Sequence, residues 1–78
     1  SKPHPAMIRA ALAETGVPAA RAVMIGDTTF DMEMAAAAGV ARIGVTWGYH
    51  PAADLRADAL VDRFADLPAA IDRLTGAA

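Results

Sequence analysis

Apolar residues follow two rhythms along the chain, and the changes between them mark out the elements. Ile8, Ala11 and Leu12 recur at i, i+3 and i+4, with Arg9 and Glu14 off that stripe, the spacing of one helix face. Pro5 is preorganised for a helix start and Thr15-Gly16 supplies a stop, so the pattern predicts a helix over 5–14. Ala22-Val23-Met24-Ile25 is instead an unbroken apolar run, which predicts a strand covered on both faces, ended by Gly26-Asp27. Helix formers fill 29–38, and Gly39 stands where a left-handed C-terminal cap is expected. Residues 41–47 carry Ile43 and Val45 between Gly39 and Gly48 and read as a second strand, with Gly44 marking a close approach. A short helix is expected over 51–56, a third strand over 59–61, and a last helix over 67–74 with Pro68 in its first turn and Ile71 and Leu74 on one face.

Helices alternating with strands imply parallel strands joined by right-handed crossovers. The expected fold is therefore α/β, a three-layer α/β/α Rossmann-like sandwich around a short parallel sheet of three strands. The chain has 78 residues, enough for one domain with a modest core. Of its apolar 55%, 21 residues are Ala, so much of that fraction is helix filler. The run Ala35-Ala36-Ala37-Ala38 suits a helix lying close on a sheet.

A formal charge of -2 without a basic stripe removes the electrostatic footprint that nucleic-acid binding requires. No apolar run approaches the roughly 18 residues of a membrane span, and residues 1–5 lack the pattern of a signal peptide. Zero cysteine excludes disulfides and thiolate metal sites and favours a cytoplasmic setting.

In open parallel sheets, ligands bind off the carboxyl ends of the strands, where helix N-termini present unpaired N–H groups. Gly26-Asp27-Thr28-Thr29-Phe30-Asp31 has that character: strand end, tight turn, helix start. Asp27 and Asp31 could face one pocket as hard oxygen ligands for Mg²⁺. Thr28-x-x-Asp31 equally fits a capping box, and the spacing leaves both roles open for Asp31. Lys2 is the chain's single lysine, placed either to reach a phosphate at the same rim or to remain solvated. His4 and His50 form no zinc-ligand pattern and read as surface structure. Trp47 and Tyr49 could touch a ligand, though a strand-end aromatic is more often a core plug.

Together these residues resemble the C-terminal half of the core of a haloacid dehalogenase (HAD) superfamily phosphatase, of the phosphoglycolate phosphatase-like branch. Lys2-Pro3-His4-Pro5 resembles that family's third motif, a lysine followed by Pro-x-Pro. Gly26-Asp27-Thr28-Thr29-Phe30-Asp31-Met32, continuing through Met34, Ala35, Ala38 and Gly39, resembles the fourth, GDTxxDM with a downstream AG. Gly44-Val45-Thr46-Trp47-Gly48 resembles the strand and turn that follow. The resemblance implies hydrolysis of a small phosphate monoester, phosphoglycolate-like, through an aspartyl phosphate. Lys2 would pair with the phosphate and with the nucleophilic aspartate. Asp27 would hold Mg²⁺, and Asp31 would support the metal through water or orient Lys2.

The departures matter as much. The family's first motif, Asp-x-Asp, supplies the nucleophile, and this sequence contains no Asp-x-Asp; the Ser/Thr motif and the cap domain are also absent. At Leu55-Arg56-Ala57-Asp58 the family carries a longer helix end containing glycine. Residues 1–78 are accordingly expected to be a single C-terminal portion of a HAD-like hydrolase core, inactive alone, with the nucleophile on polypeptide outside this chain. The strand over 22–25 would then expose an edge, to be covered by the missing N-terminal half or by self-association. A noncatalytic α/β interaction or regulatory module is the alternative. Expected partners are a small phosphorylated metabolite and that strand partner, with no nucleic acid and no membrane.

Overall fold

A computed structural model of the chain describes residues 5–48 and 55–76. Helix α1 (Ala6–Thr15) takes Pro5 as its N-cap and closes at Gly16, whose left-handed backbone lets its N–H return to the Leu12 carbonyl. A 3₁₀ turn (Ala19–Arg21) leads into β1 (Val23–Gly26), followed by α2 (Thr29–Ala38), β2 (Ala41–Val45) and β3 (Ala59–Val61). A second 3₁₀ turn (Phe64–Asp66) then runs into α3 (Leu67–Thr75). The strands form one sheet in the order β1-β2-β3. Both pairings are parallel, with Ile25 beside Ile43, Gly26 beside Gly44 and Val45 beside Val61.

Alternation along a strand divides these residues between two faces. Ile43, Val45 and Val61 share one face, where they bury against Leu67 and Ala70 of α3, with Val23, Ala59, Ile71 and Leu74 packed around them. Met24, Gly26, Arg42, Gly44 and Leu60 share the other face. There α2 buries Met32 and Ala35, and Leu55 sets its Cδ1 directly over Gly44. Helix α1 lies against α2, and the Arg9 guanidinium donates to the Ala37 carbonyl at 3.0 Å, satisfying a last-turn acceptor that the helix itself leaves open. The layers are thus helix, sheet and helix, as the element order requires.

The three-residue β3 is tied to β2 by more than ladder bonds. The Asp58 N–H donates to the Arg42 carbonyl at 2.9 Å. In return, Asp58 Oδ2 accepts from the Arg42 N–H at 2.8 Å, and Oδ1 lies 3.2 Å from Arg42 Nη2. The hydrogen bonds and charge of Arg42 hold the Asp58 carboxyl below its ordinary pKa, against the opposing effect of desolvation.

Several expectations need correction. The apolar run at 22–25 is not covered on both sides: β1 is a sheet edge and Ile25 is 41% exposed, because α3 gathers around Ile43, Val45 and Val61 and leaves Ile25 outside that cluster. The second strand stops at Val45, where the Thr46 N–H donates to Val61 at 3.1 Å and the chain turns. Of the helix expected over 51–56, residues 51–54 lie outside the described residues. Leu55 and Arg56 are not helical, and Arg56 has a left-handed φ of 52°. The first helix is displaced by one residue because Pro5 caps it from outside. Neither 3₁₀ turn has a periodicity long enough to announce it. Among the described residues no helix is long and apolar enough to cross a membrane.

Candidate functional site

The C-terminal rim of the sheet is built by the turn between β1 and α2 and by the loop after β2. Thr28 has an extended backbone and serves as the N-cap of α2, its hydroxyl accepting from the Asp31 N–H at 3.1 Å. This is the Thr side of the capping box, and it fixes where the first turn begins. The Asp31 carboxylate is turned back onto the end of β1. A Cβ placed on Gly26 would lie 2.6 Å from Asp31 Oδ2 and 2.7 Å from Asp31 Cβ, a space that only glycine leaves open.

Asp27, the first residue beyond β1, leans the other way, across the end of β2. The three nearest atoms that a Cβ on Gly48 would meet are all in its side chain: Cβ, Oδ2 at 2.6 Å and Cγ at 2.7 Å. Asp31 is therefore seated on Gly26 at the end of β1 and Asp27 against Gly48 in the loop after β2, and both residues are half-buried. Two hard oxygen donors beside a helix N-terminus suit a small divalent cation that completes its octahedron with water and phosphate oxygens. Among the described residues no group of three or more His, Cys, Asp or Glu is assembled.

Lys2, the remaining expected site residue, lies outside the described residues, as do His4, Tyr49 and His50. Trp47 does not plug the core; it is 52% exposed beside Gly48, while Phe30 is 42% exposed between the two acids. The rim thus carries exposed aromatic surface next to its carboxylates. A separate open cleft of about 570 Å³ lies on the α2 flank, bounded by Thr29, Met32, Glu33, Arg42, Leu55 and Arg56 among others. It contains neither Asp27 nor Asp31. Gly26 and Gly48 are legible in the sequence as turn and motif positions, but not as the seats of the two acids. Their signal was present, one preceding the first acid and one closing the second strand's turn, but glycine in a turn is too common to weigh without the carboxylates in view.

The sequence profile described as HAD-hydrolase-like matches residues 1–67. The chain belongs to that family. Among curated proteins it is 45% identical over 76 residues to a probable phosphatase, IndB, of Dickeya dadantii, covering 94% of this chain and 33% of that protein. It is 39% identical over 69 residues to a phosphoglycolate phosphatase of Pectobacterium atrosepticum, covering 85% of this chain and 30% of the relative. The phosphoglycolate phosphatase of Rhodospirillum rubrum is 46% identical over 68 residues, 85% of this chain and 28% of its own. The chain spans about a third of the length of the curated relatives it matches.

Proposed function

We propose that this chain carries the metal-holding rim of a Mg²⁺-dependent phosphatase acting on a small phosphate monoester, phosphoglycolate-like, in a cytoplasmic setting. The observation that supports this reading best is the seating of Asp31 on Gly26 and of Asp27 against Gly48 at the C-terminal rim of the sheet in a HAD-family chain. Asp27 would hold the ion directly, while Asp31 would support it through water or orient Lys2, whose ammonium would face the phosphate. When bound, the metal supplies charge neutralisation for the anionic substrate and its transition state. The attacking carboxylate, which would form and then lose an aspartyl phosphate, is assigned to an Asp-x-Asp segment outside these 78 residues. The edge of β1 with its exposed Ile25 would be covered by a strand from that remaining polypeptide or by a second copy of the chain.

Catalytic groups that act as a unit lose most of their effect when one is absent. The isolated chain is therefore expected to hydrolyse no phosphate monoester above background. Turnover that survives repurification and disappears in Asp27→Asn would overturn this. Titrating Mg²⁺ while following the backbone amides of Asp27 and Thr28 by NMR tests the half site directly. Affinity on the order of millimolar or weaker is expected, since two carboxylates make an incomplete shell, and it should be lost in Asp27→Asn. Micromolar binding would mean further ligands in the chain.

A further inference from the structure

We infer that Gly48 is a positioning residue for the Asp27 carboxylate, an inference that rests on the metal-holding reading above and extends the site onto the loop after β2. Gly48 does not have the left-handed backbone found at Gly16, Gly39 and Gly76, so an L side chain is not barred by conformation. It is barred by space, and the three nearest obstructing atoms all belong to Asp27.

The nearest of these atoms is the Asp27 Cβ, which is fixed to the backbone. Rotating the carboxylate away about χ1 therefore cannot make room for a methyl group; loop and strand end must separate. In the native chain the same contact works in reverse. The backbone of Gly48 is a wall that limits how far the Asp27 side chain can swing toward β2, as Gly26 is the seat for Asp31. If both acids serve one ion, as proposed above, their placement has to be set before the ion arrives, because supporting residues around a metal shell change affinity in part by orienting its ligands.

The experiment compares Gly48→Ala, Gly26→Ala and Trp47→Ala in the 78-residue chain. Side-chain carbon shifts and χ1 couplings of Asp27 and Asp31 are measured by NMR, followed by a Mg²⁺ titration. Gly48→Ala should redistribute the Asp27 rotamers and leave those of Asp31 in place, Gly26→Ala should do the converse, and Trp47→Ala should do neither. Mg²⁺ affinity should fall about tenfold or more in Gly48→Ala, the scale seen for loss of supporting groups around metal ligands. Thermal stability gives a second reading that needs no metal: the Tm lost on Gly48→Ala should largely vanish in an Asp27→Gly background, where the obstructing side chain is gone. Unchanged Asp27 rotamers, or a Tm loss that persists without the Asp27 side chain, would overturn the inference. Displaced Asp27 rotamers in a chain that never responds to Mg²⁺ would uphold Gly48 as the positioning residue and refute the metal reading instead.

Discussion

Gly44→Ala gives the most quantitative test of how the sheet is packed. The residue lies in the central strand, and an added Cβ would stand 2.9 Å from Leu55 Cδ1, 3.0 Å from Leu60 Cδ2 and 3.2 Å from Ala57 Cβ. Leu60 is 51% exposed and can swing away, but Leu55 is 1% exposed and has nowhere to go. Overpacking of this kind costs about 1–3 kcal/mol. Against it stands the smaller conformational entropy of the unfolded alanine chain, worth about 0.4–1 kcal/mol. The difference is a net loss of about 0.5–2 kcal/mol. An unfolding entropy of about 2.1 cal/mol/K per residue makes each kcal/mol worth about 6 °C in a chain of 78 residues, so Tm should fall by about 3–12 °C in a thermal melt followed by circular dichroism. Leu55→Val removes a methyl group at the point of collision. It should cost less in the Gly44→Ala background than alone, with a coupling of at least about 0.5 kcal/mol. A Gly44→Ala chain that melts higher than the parent would show that Leu55 does not lie over this strand.

Three further outcomes follow from other parts of the molecule. Arg42 depresses the folded pKa of Asp58, so the ion pair contributes stability above the unfolded carboxyl value and loses it as pH falls through the lower, folded value. Asp58 is 37% exposed, so Asp58→Asn should cost at most about 1 kcal/mol near pH 7; the gap in urea midpoints should close in acid, and a gap unchanged at pH 2 would refute the pairing. Arg56→Gly relieves a left-handed backbone that costs a side-chain-bearing residue about 1–2 kcal/mol, against about 0.5–1 kcal/mol of added chain entropy, so Tm should rise by a few degrees; a fall would contradict that conformation. Ile25→Lys places a charge on the exposed edge strand, and sedimentation should show concentration-dependent association in the parent chain that this variant abolishes; a parent that stays monomeric at all concentrations would remove self-association.

Much of this architecture was legible in the sequence, and the failures have particular causes. Helix α2 was readable to the residue because Thr28 and Gly39 are chemical punctuation at its two ends, a side-chain acceptor and a left-handed cap. The third strand was readable because Ala59-Leu60-Val61 is bounded by aspartates at 58 and 62. Ile25 misled because an apolar run reports what a strand can bury, while burial is decided by where α3 comes to rest, a long-range matter. Trp47 misled for a related reason: nothing local announces that Thr46 will pair back to Val61 and turn the chain outward. At the site, the acids and the Thr28 cap could be read from spacing, whereas the seats could not. Gly48 meets Asp27 across 21 positions of sequence, and that contact exists only once β1 and β2 are aligned.

That alignment carries the candidate chemistry. The glycines kept by space are Gly26, Gly44 and Gly48, and they cluster where β1 and β2 end. Gly26 and Gly44 are register partners, so the sheet has a strip without side chains near its rim. Asp31 occupies the strip at Gly26, Leu55 covers it at Gly44, and just beyond it Asp27 lies on Gly48. Contacts between a carboxylate and a backbone are steric, and salt does not screen them as it screens an exposed ion pair such as Arg42 with Asp58. The seating of Asp31 on Gly26 should therefore hold through changes of ionic strength that weaken that pair. Neither acid's position should survive a change of register. Sliding β1 by one residue against β2 moves every side chain to the opposite face, puts Ile25 or Asp27 beside Gly44 in place of Gly26, and carries Asp27 away from the loop that seats it. The four paired positions of β1 with β2 thus fix the sheet and the separation of the two acids in a single step.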